Sequence, residues 1–105
     1  MEAQLHEVLS AGRLEVRPAE GLVMADGIPL RLSVREVDLL AALLQRADRI
    51  VSRHELHAAV WRRPLRPGDR SVDVYVHKLR AKLAAALPEC ELIHTHVGFG
   101  YRLAP

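Results

Sequence analysis

The chain has 105 residues, half of them hydrophobic, which suits a single domain with an aliphatic core. No apolar stretch approaches the ~20 residues of a membrane-spanning helix, and a single cysteine cannot form an internal disulfide, which fits the reducing cytoplasm. The net charge is only +2, so the total charge alone does not indicate a polyanionic partner.

The first third of the chain predicts a small antiparallel sheet. Residues 1–11 are expected to be a linker remnant or a short N-terminal extension, and 12–105 to form the domain. Polar and apolar residues alternate from Arg13 to Arg17, as in a half-buried strand. Asp26-Gly27 separates two further strand-like runs and is a strong hairpin signal. We therefore expect three or four strands within residues 13–32.

Two S-x-x-E patterns predict the starts of the next two elements. Ser33–Glu36 and Ser52–Glu55 both have the form of a capping box, in which each side chain satisfies an otherwise free backbone donor. Helices are expected over about 33–47 and 52–61. The segment 62–68 contains two prolines and cannot continue the second helix.

The segment 70–86 predicts a third helix with an apolar stripe and a basic surface. Between Arg62 and Lys82 there are seven Lys or Arg against two acids. Such a local excess is typical of a nucleic-acid surface, although an ordinary solvated surface explains it equally well. The expected inward residues lie at helical spacing: Val72, Val76, Leu79 and Leu83.

The segment 91–103 reads as a tight hairpin, with Gly98 and Gly100 where the chain reverses. A basic helix followed by such a hairpin is how a winged helix-turn-helix addresses duplex DNA.

Several outward side chains of the third helix suit DNA chemically. Lys78 could address guanine acceptors or a phosphate, and Val74 could contact a thymine methyl group. Arg70, Ser71 and Lys82 suit phosphates near the groove edges. Asp73 and Arg80 are expected to be structural, pairing with the first helix, where Glu36 is available, because an acid that faces phosphate is repulsive.

The sequence gives little support for a metal site or a catalytic site. The histidines of His54-Glu55-Leu56-His57 lack the i, i+4 spacing of a zinc protease helix. Cys90, His94 and His96 could supply three ligands, whereas a closed structural zinc site needs four. No nucleophile stands in a recognisable catalytic setting. We expect no metal, no cofactor and no enzymatic activity.

Four segments resemble the C-terminal DNA-binding effector domain of OmpR/PhoB-type response regulators. The family patterns read L-(S/T)-x-x-E, V-S-R-x-x-L-x-x-x-V-W, R-(T/S)-V-D-V-x-(I/V)-x-x-L-R-x-K-L and T-V-R-G-x-G-Y-R. They correspond in order to Leu32–Glu36, Val51–Trp61, Arg70–Leu83 and Thr95–Arg102. The resemblance as a whole covers residues 13–103. It implies an α+β fold: a winged helix-turn-helix of three helices and a C-terminal β-hairpin wing, preceded by a small antiparallel β-sheet.

The resemblance also implies roles for single residues. Positions that touch phosphates in the family are matched by Trp61, Arg70, Ser71, Thr95 and Tyr101. Positions that face the major groove are matched by Val74, Tyr75, His77 and Lys78. The loop 62–69 matches a segment that contacts RNA polymerase in some members, and its candidate residues are Arg62, Arg63, Leu65 and Arg66.

The expected function is therefore sequence-specific binding of double-stranded DNA, as the output domain of a two-component transcription regulator in the cytoplasm. Recognition helix 70–86 is expected in the major groove and the wing on the backbone. Family members bind direct-repeat half-sites head to tail, and their full-length form includes a receiver domain. The isolated domain is expected to be mostly monomeric.

Two departures from the family pattern leave an alternative open. Val97 replaces the arginine that often enters the minor groove, so minor-groove reading falls to another residue or is absent. His77 and Lys78 replace arginines in the recognition helix, which disfavours bidentate guanine contacts. The apolar wing tip Val97–Phe99 instead suits a winged-helix module for protein–protein interaction.

Overall fold

The computed structural model describes residues 7–105. A four-stranded antiparallel sheet comes first, in the order β1-β2-β3-β4, followed by three helices and a two-stranded hairpin. The strands of the sheet are β1 Leu9–Ala11, β2 Leu14–Arg17, β3 Leu22–Ala25 and β4 Ile28–Pro29. The α+β winged helix-turn-helix with its preceding sheet is thus confirmed.

The sheet begins earlier than the predicted residue 13. Leu9 pairs with Val16, and Ala11 is buried opposite Leu14, so the end of the predicted N-terminal extension belongs to the sheet. In β1, Leu9 and Ala11 alternate with the exposed Ser10 and face the core, so this strand extends the core-facing surface of β2 and β3. Residues 1–6, the remainder of the predicted linker or extension, lie outside the described residues.

The helices are α1 Val34–Gln45, α2 Arg53–Trp61 and α3 Ser71–Ala86. The first capping box is complete, because the Glu36 amide donates to Ser33 Oγ (3.2 Å) and the Ser33 amide donates to Glu36 Oε1 (2.7 Å). The second prediction is half wrong. Ser52 accepts from the Glu55 amide, but Arg46 and Arg49 hold the Glu55 carboxylate and keep it from the Ser52 backbone.

The predicted apolar stripe of α3 is confirmed. All four of its residues are buried and join a core formed with α1, α2 and the inner face of the sheet. Burial of this stripe leaves the opposite side of α3 free for a partner.

The hairpin, which we call the wing, consists of β5 Ile93–His96 and β6 Gly100–Leu103. Its base is fixed to the α1–α2 loop, because Val51 and Tyr101 exchange two backbone hydrogen bonds of 2.7 and 3.0 Å. At Gly100, φ is +140° and a Cβ would lie 2.0 Å from the Val51 carbonyl oxygen. Only glycine allows this close approach. Among the described residues, no helix has the length and apolarity to cross a bilayer.

Candidate nucleic-acid interface

The exposed side of α3 contains most of the predicted groove-facing positions. Val74, His77 and Lys78 are exposed, and the first of them leaves nearly half of an aliphatic side chain in solvent. Arg70 stands at the start of the helix with its side chain 74% exposed. Cationic, polar and apolar groups thus share one helix surface, as direct reading of base edges requires.

Tyr75 and Trp61 form a half-buried aromatic pair beside this surface. Their rings meet edge to face at 5.6 Å, an arrangement that aromatic quadrupoles favour. Lys78 Nζ lies 4.9 Å from the Tyr75 ring, and the Arg35 guanidinium lies 5.1 Å from the Trp61 ring. The two rings therefore hold Lys78 and Arg35 by cation–π contacts. Trp61 is also a predicted phosphate contact, and Tyr75 a predicted groove-facing position.

Asp73 joins α3 to α2 and to the wing, so its predicted pairing with α1 is wrong. Arg53 Nε donates to its carboxylate at 2.7 Å, Arg70 Nε donates at 3.0 Å, and the Tyr101 hydroxyl donates as well. Burial raises the pKa of the Asp73 carboxyl, but the hydrogen bonds from Tyr101, Arg53 and Arg70 outweigh burial and lower it. The carboxylate remains ionised and neutralised by two arginines.

Arg80 attaches β5 to α3 and does not pair with Glu36 on α1. Its Nη2 donates to the Ile93 carbonyl and to Thr95 Oγ1, both at 2.8 Å. Thr95 is exposed, and its hydroxyl keeps a proton that can be donated to another acceptor. The predicted phosphate position at Thr95 is therefore fixed in place by the helix.

Lys82 and Tyr101 are less available than the sequence suggested. Lys82 Nζ donates to Glu36 Oε1 at 2.7 Å. Burial raises the pKa of Glu36, but hydrogen bonds from Lys82 and Ser33 outweigh it and lower the pKa. The Tyr101 ring is buried, and burial and then the bond to Asp73 raise the pKa of its hydroxyl. Both side chains have a structural partner that a phosphate would have to share.

The loop 62–69 presents three exposed cations, Arg62, Arg63 and Arg66, while Leu65 is half-buried. Arg62 adopts a left-handed conformation that ends α2. At the other end of the loop, Asp69 Oδ1 accepts from the Ser71 amide (2.8 Å) and from the Ser71 hydroxyl. Ser71, a predicted phosphate contact, is thus engaged at the first turn of α3.

Hydrogen bonds join Arg70 and Tyr101 through Asp73, and join Thr95 to Arg80. The Arg80 guanidinium lies 5.8 Å from the Tyr101 ring and links these two sets, whereas Lys82 is paired separately with Glu36. Sequence reasoning missed Arg53, which stacks on the Tyr101 ring at 5.5 Å and leaves 37% of its side chain exposed. Its position directly after the helix-capping Ser52 could have marked Arg53 as a candidate, because it places a cation at the first turn of α2. Within residues 7–105, no three His, Cys, Asp or Glu side chains converge as a metal ion would require.

A helix-turn-helix with its recognition helix exposed and a hairpin beside it defines a winged-helix protein. The family described as "Transcriptional regulatory protein, C terminal" matches residues 27–103. The chain belongs to this family, and the resemblance to OmpR/PhoB-type effector domains is confirmed.

Individual relatives agree with this assignment. Transcriptional regulatory protein CreB of Escherichia coli K12 is 36% identical over 96 residues, which are 91% of this chain and 42% of that protein. Transcriptional regulatory protein TrcR of Mycobacterium tuberculosis is 34% identical over 105 residues, which are all of this chain and 40% of that protein. The chain thus spans about two fifths of the length of these relatives.

Two solved structures share the fold closely. The DNA-binding domain of CpxR from E. coli superposes with a TM-score of 0.84 at 30% identity, over 93% of this chain and 96% of that one. The Klebsiella pneumoniae RstA DNA-binding domain in complex with an RstA box superposes with a TM-score of 0.83 at 34% identity, over 95% and 99%.

Proposed function

We propose that this domain binds double-stranded DNA in a sequence-specific manner, as the non-catalytic output domain of a two-component transcription regulator. The carrying observation is the exposed side of α3, where Val74, His77 and Lys78 follow Arg70 and adjoin the attached wing. A major groove admits one such helix, and these side chains offer the hydrogen-bonding and apolar groups that recognise base edges. The complex of the RstA relative with its box supports the same use here.

The remaining partners are part of the proposal. Because the chain spans about two fifths of its relatives, a receiver domain would complete the regulator. The exposed arginines of the loop 62–69 suit contact with RNA polymerase, since loops that project from a rigid scaffold often bind partners. A regulator of genomic DNA would act in the cytoplasm.

The wing tip favours a second function, docking to a protein. Val97 is 88% exposed and Phe99 is 71% exposed, and both side chains are apolar. Exposed apolar surface is typical of protein interaction sites when it is large and contiguous. Two residues make a small patch, so DNA binding is the better-supported function.

Salt dependence separates the two functions. Duplexes selected by the domain from a random pool would be titrated by fluorescence anisotropy at several salt concentrations. DNA binding predicts that log K falls linearly with log salt, by about 0.9 for each phosphate neutralised. Failure to enrich any duplex, together with salt-insensitive capture of a protein through the wing tip, would establish the second function instead.

A further inference from the structure

The ring of His57 lies fully buried beneath the loop 62–69, in a place that the proposed DNA interface does not use. It stacks on Trp61 one helical turn later, with ring centroids 4.9 Å apart and planes only 7° apart. Nδ1 lies 2.9 Å from the Arg63 carbonyl oxygen, and Nε2 lies 3.4 Å from Asp69 Oδ2. One ring therefore touches both ends of the loop.

The two ring nitrogens have different requirements. A carbonyl oxygen only accepts hydrogen bonds, so Nδ1 must hold a proton in this geometry. In a neutral ring, Nε2 would then direct a lone pair at the Asp69 carboxylate, and this buried atom has no hydrogen-bond partner among the described residues. A proton on Nε2 converts the contact into an ion pair, and a cation stacks favourably on the indole of Trp61.

Asp69 transmits this contact to α3 because its two oxygens have separate partners. Oδ1 accepts from the amide and hydroxyl of Ser71, at the first turn of the helix. Oδ2 faces His57 and, at 3.9 Å, the Arg63 guanidinium. Hydrogen bonds from Ser71 lower the pKa of the Asp69 carboxyl, and the charges of His57 and Arg63 add to this effect. The carboxylate is thus available as the partner of a cationic ring.

We propose that His57 is a positioning residue whose doubly protonated ring fixes Asp69, and through it the loop 62–69 and the first turn of α3. The charged groups around the ring are Asp69 and Arg63 from the loop and Arg35 from α1, which reaches the other member of the stack, Trp61. When Nε2 loses its proton, the ion pair is lost and Ser71 is held less firmly. Its effect on DNA affinity rests on the proposed function, but its effect on the loop does not.

The protonation of the ring is tested without DNA. Two-bond proton–nitrogen spectra of the ¹⁵N-histidine-labelled domain, recorded from pH 5.5 to 8, would report Nδ1 and Nε2 of His57 separately. We expect Nε2 to hold a proton at the acid end and to release it as pH rises, while the amide signals of Arg63 and Ser71 shift along the same curve. An Nε2 that lacks a proton at every pH, or a release that leaves both amides unmoved, would overturn the proposal.

Affinity for the selected duplex would be measured over the same range for wild type, His57→Leu and Asp69→Asn. The other histidines are common to all three proteins, so the ratio of wild-type to His57→Leu affinity isolates the buried ring. We expect this ratio to fall as pH rises, on the order of fivefold, which is the lower end of typical coupling between two sites. Relative to His57→Leu, the affinity of Asp69→Asn should not change with pH in this way, because the amide of the introduced asparagine can donate a hydrogen bond to a neutral Nε2. A constant ratio would remove His57 from α3 positioning, whereas a wild type that binds no duplex would refute the proposed function and leave the spectra to decide about His57.

Discussion

At the scale of single residues, Asp73 connects the parts of the interface that lie far apart in the sequence. Its carboxylate receives hydrogen bonds from one residue of α2, one residue before α3 and one residue of β6. Since the wing and the recognition helix belong to different parts of the sequence, this carboxylate helps to set their relative position. Arg53 and Arg70, in turn, are oriented while part of each stays exposed.

Replacing Asp73 by Asn should lower the free energy of unfolding at pH 7 by about 1–3 kcal/mol, because charge-assisted hydrogen bonds are lost. The folded-state pKa of Asp73 is lowered, so its contribution is present above the unfolded pKa of the carboxyl and is lost as pH falls through the folded value. Urea unfolding at pH 7 and pH 3 would show a large difference from wild type that shrinks in acid. The control is Asp26→Asn in the exposed pair with Arg13, where little change is expected. An equal loss at both pH values would contradict this assignment.

Arg70 and Lys78 should differ in what they contribute to DNA binding. Arg70→Ala should weaken specific and non-specific duplexes alike and reduce the salt slope by about one unit, because an exposed cation at a helix start suits a phosphate. Lys78→Ala should weaken only the selected duplex and flatten base preference at one position, by ~1–3 kcal/mol if it reads a base. Anisotropy titrations of both variants with selected and non-specific duplexes, at four salt concentrations, would measure the salt slope and the base preference. An unchanged slope for Arg70→Ala with lost base preference would mean that the two roles are reversed.

At the scale of elements, the wing depends on its attachment to the α1–α2 loop. Gly100→Ala would force a Cβ against the Val51 carbonyl and adopt a strained φ, whereas at Gly98 a Cβ meets nothing within 4 Å. We expect Gly98→Ala to cost about 1–2 kcal/mol from its backbone conformation alone. Gly100→Ala should cost clearly more, because backbone must also move. Thermal unfolding of both variants tests this ranking, and equal melting temperatures would show that the contact with Val51 is dispensable.

The loop 62–69 should serve a different partner from α3. Replacing Arg63, Leu65 and Arg66 together by Ala should spare duplex affinity and reduce transcription activation by the complete regulator, because these side chains lie on the loop and not on the recognition helix. A reporter assay beside an anisotropy titration separates the two effects. Loss of duplex binding with an unchanged circular dichroism spectrum would place the loop on DNA.

Sequence patterns predicted the elements well and the side-chain partners poorly. The apolar stripe of α3 and the capping box at Ser33 could be predicted because both depend on the spacing of residues that are close together in the sequence. The pairing of Glu36 with Lys82 joins residues 46 positions apart, and the bonds of Arg80 to β5 depend on how the wing packs. The sequence pattern suggests His57 only as a zinc-ligand candidate, because the residues next to it give no sign of the Arg63 carbonyl or the Asp69 carboxylate that its ring meets in the fold.

At the scale of the whole molecule, both edges of the described sheet are poor templates for self-association. β1 has three residues, and β4 has two, one of which is Pro29. Short edges and proline limit edge-to-edge pairing. The large apolar side chains that are exposed among the described residues are distributed over the surface: Val8 before β1, Ile28 on β4, Val34 on α1, Ile50 before α2, Val74 on α3, and Val97 and Phe99 at the wing tip. A monomer in solution is therefore the expected state of the isolated domain.

A monomer with one recognition helix and one wing should bind a single half-site weakly, since it buries little surface compared with a dimer. Family resemblance implies head-to-tail binding to direct repeats, so two copies should occupy neighbouring half-sites. A centre-to-centre spacing of ~10 base pairs should be best, because one helical turn places both copies on the same face of the duplex. Anisotropy titrations would compare this spacing with one lengthened by about five base pairs, half a turn, which moves the second copy to the opposite face. We expect cooperativity only at the first spacing. Equal affinity at both would mean that the domains do not touch and that tandem assembly depends on the rest of the regulator.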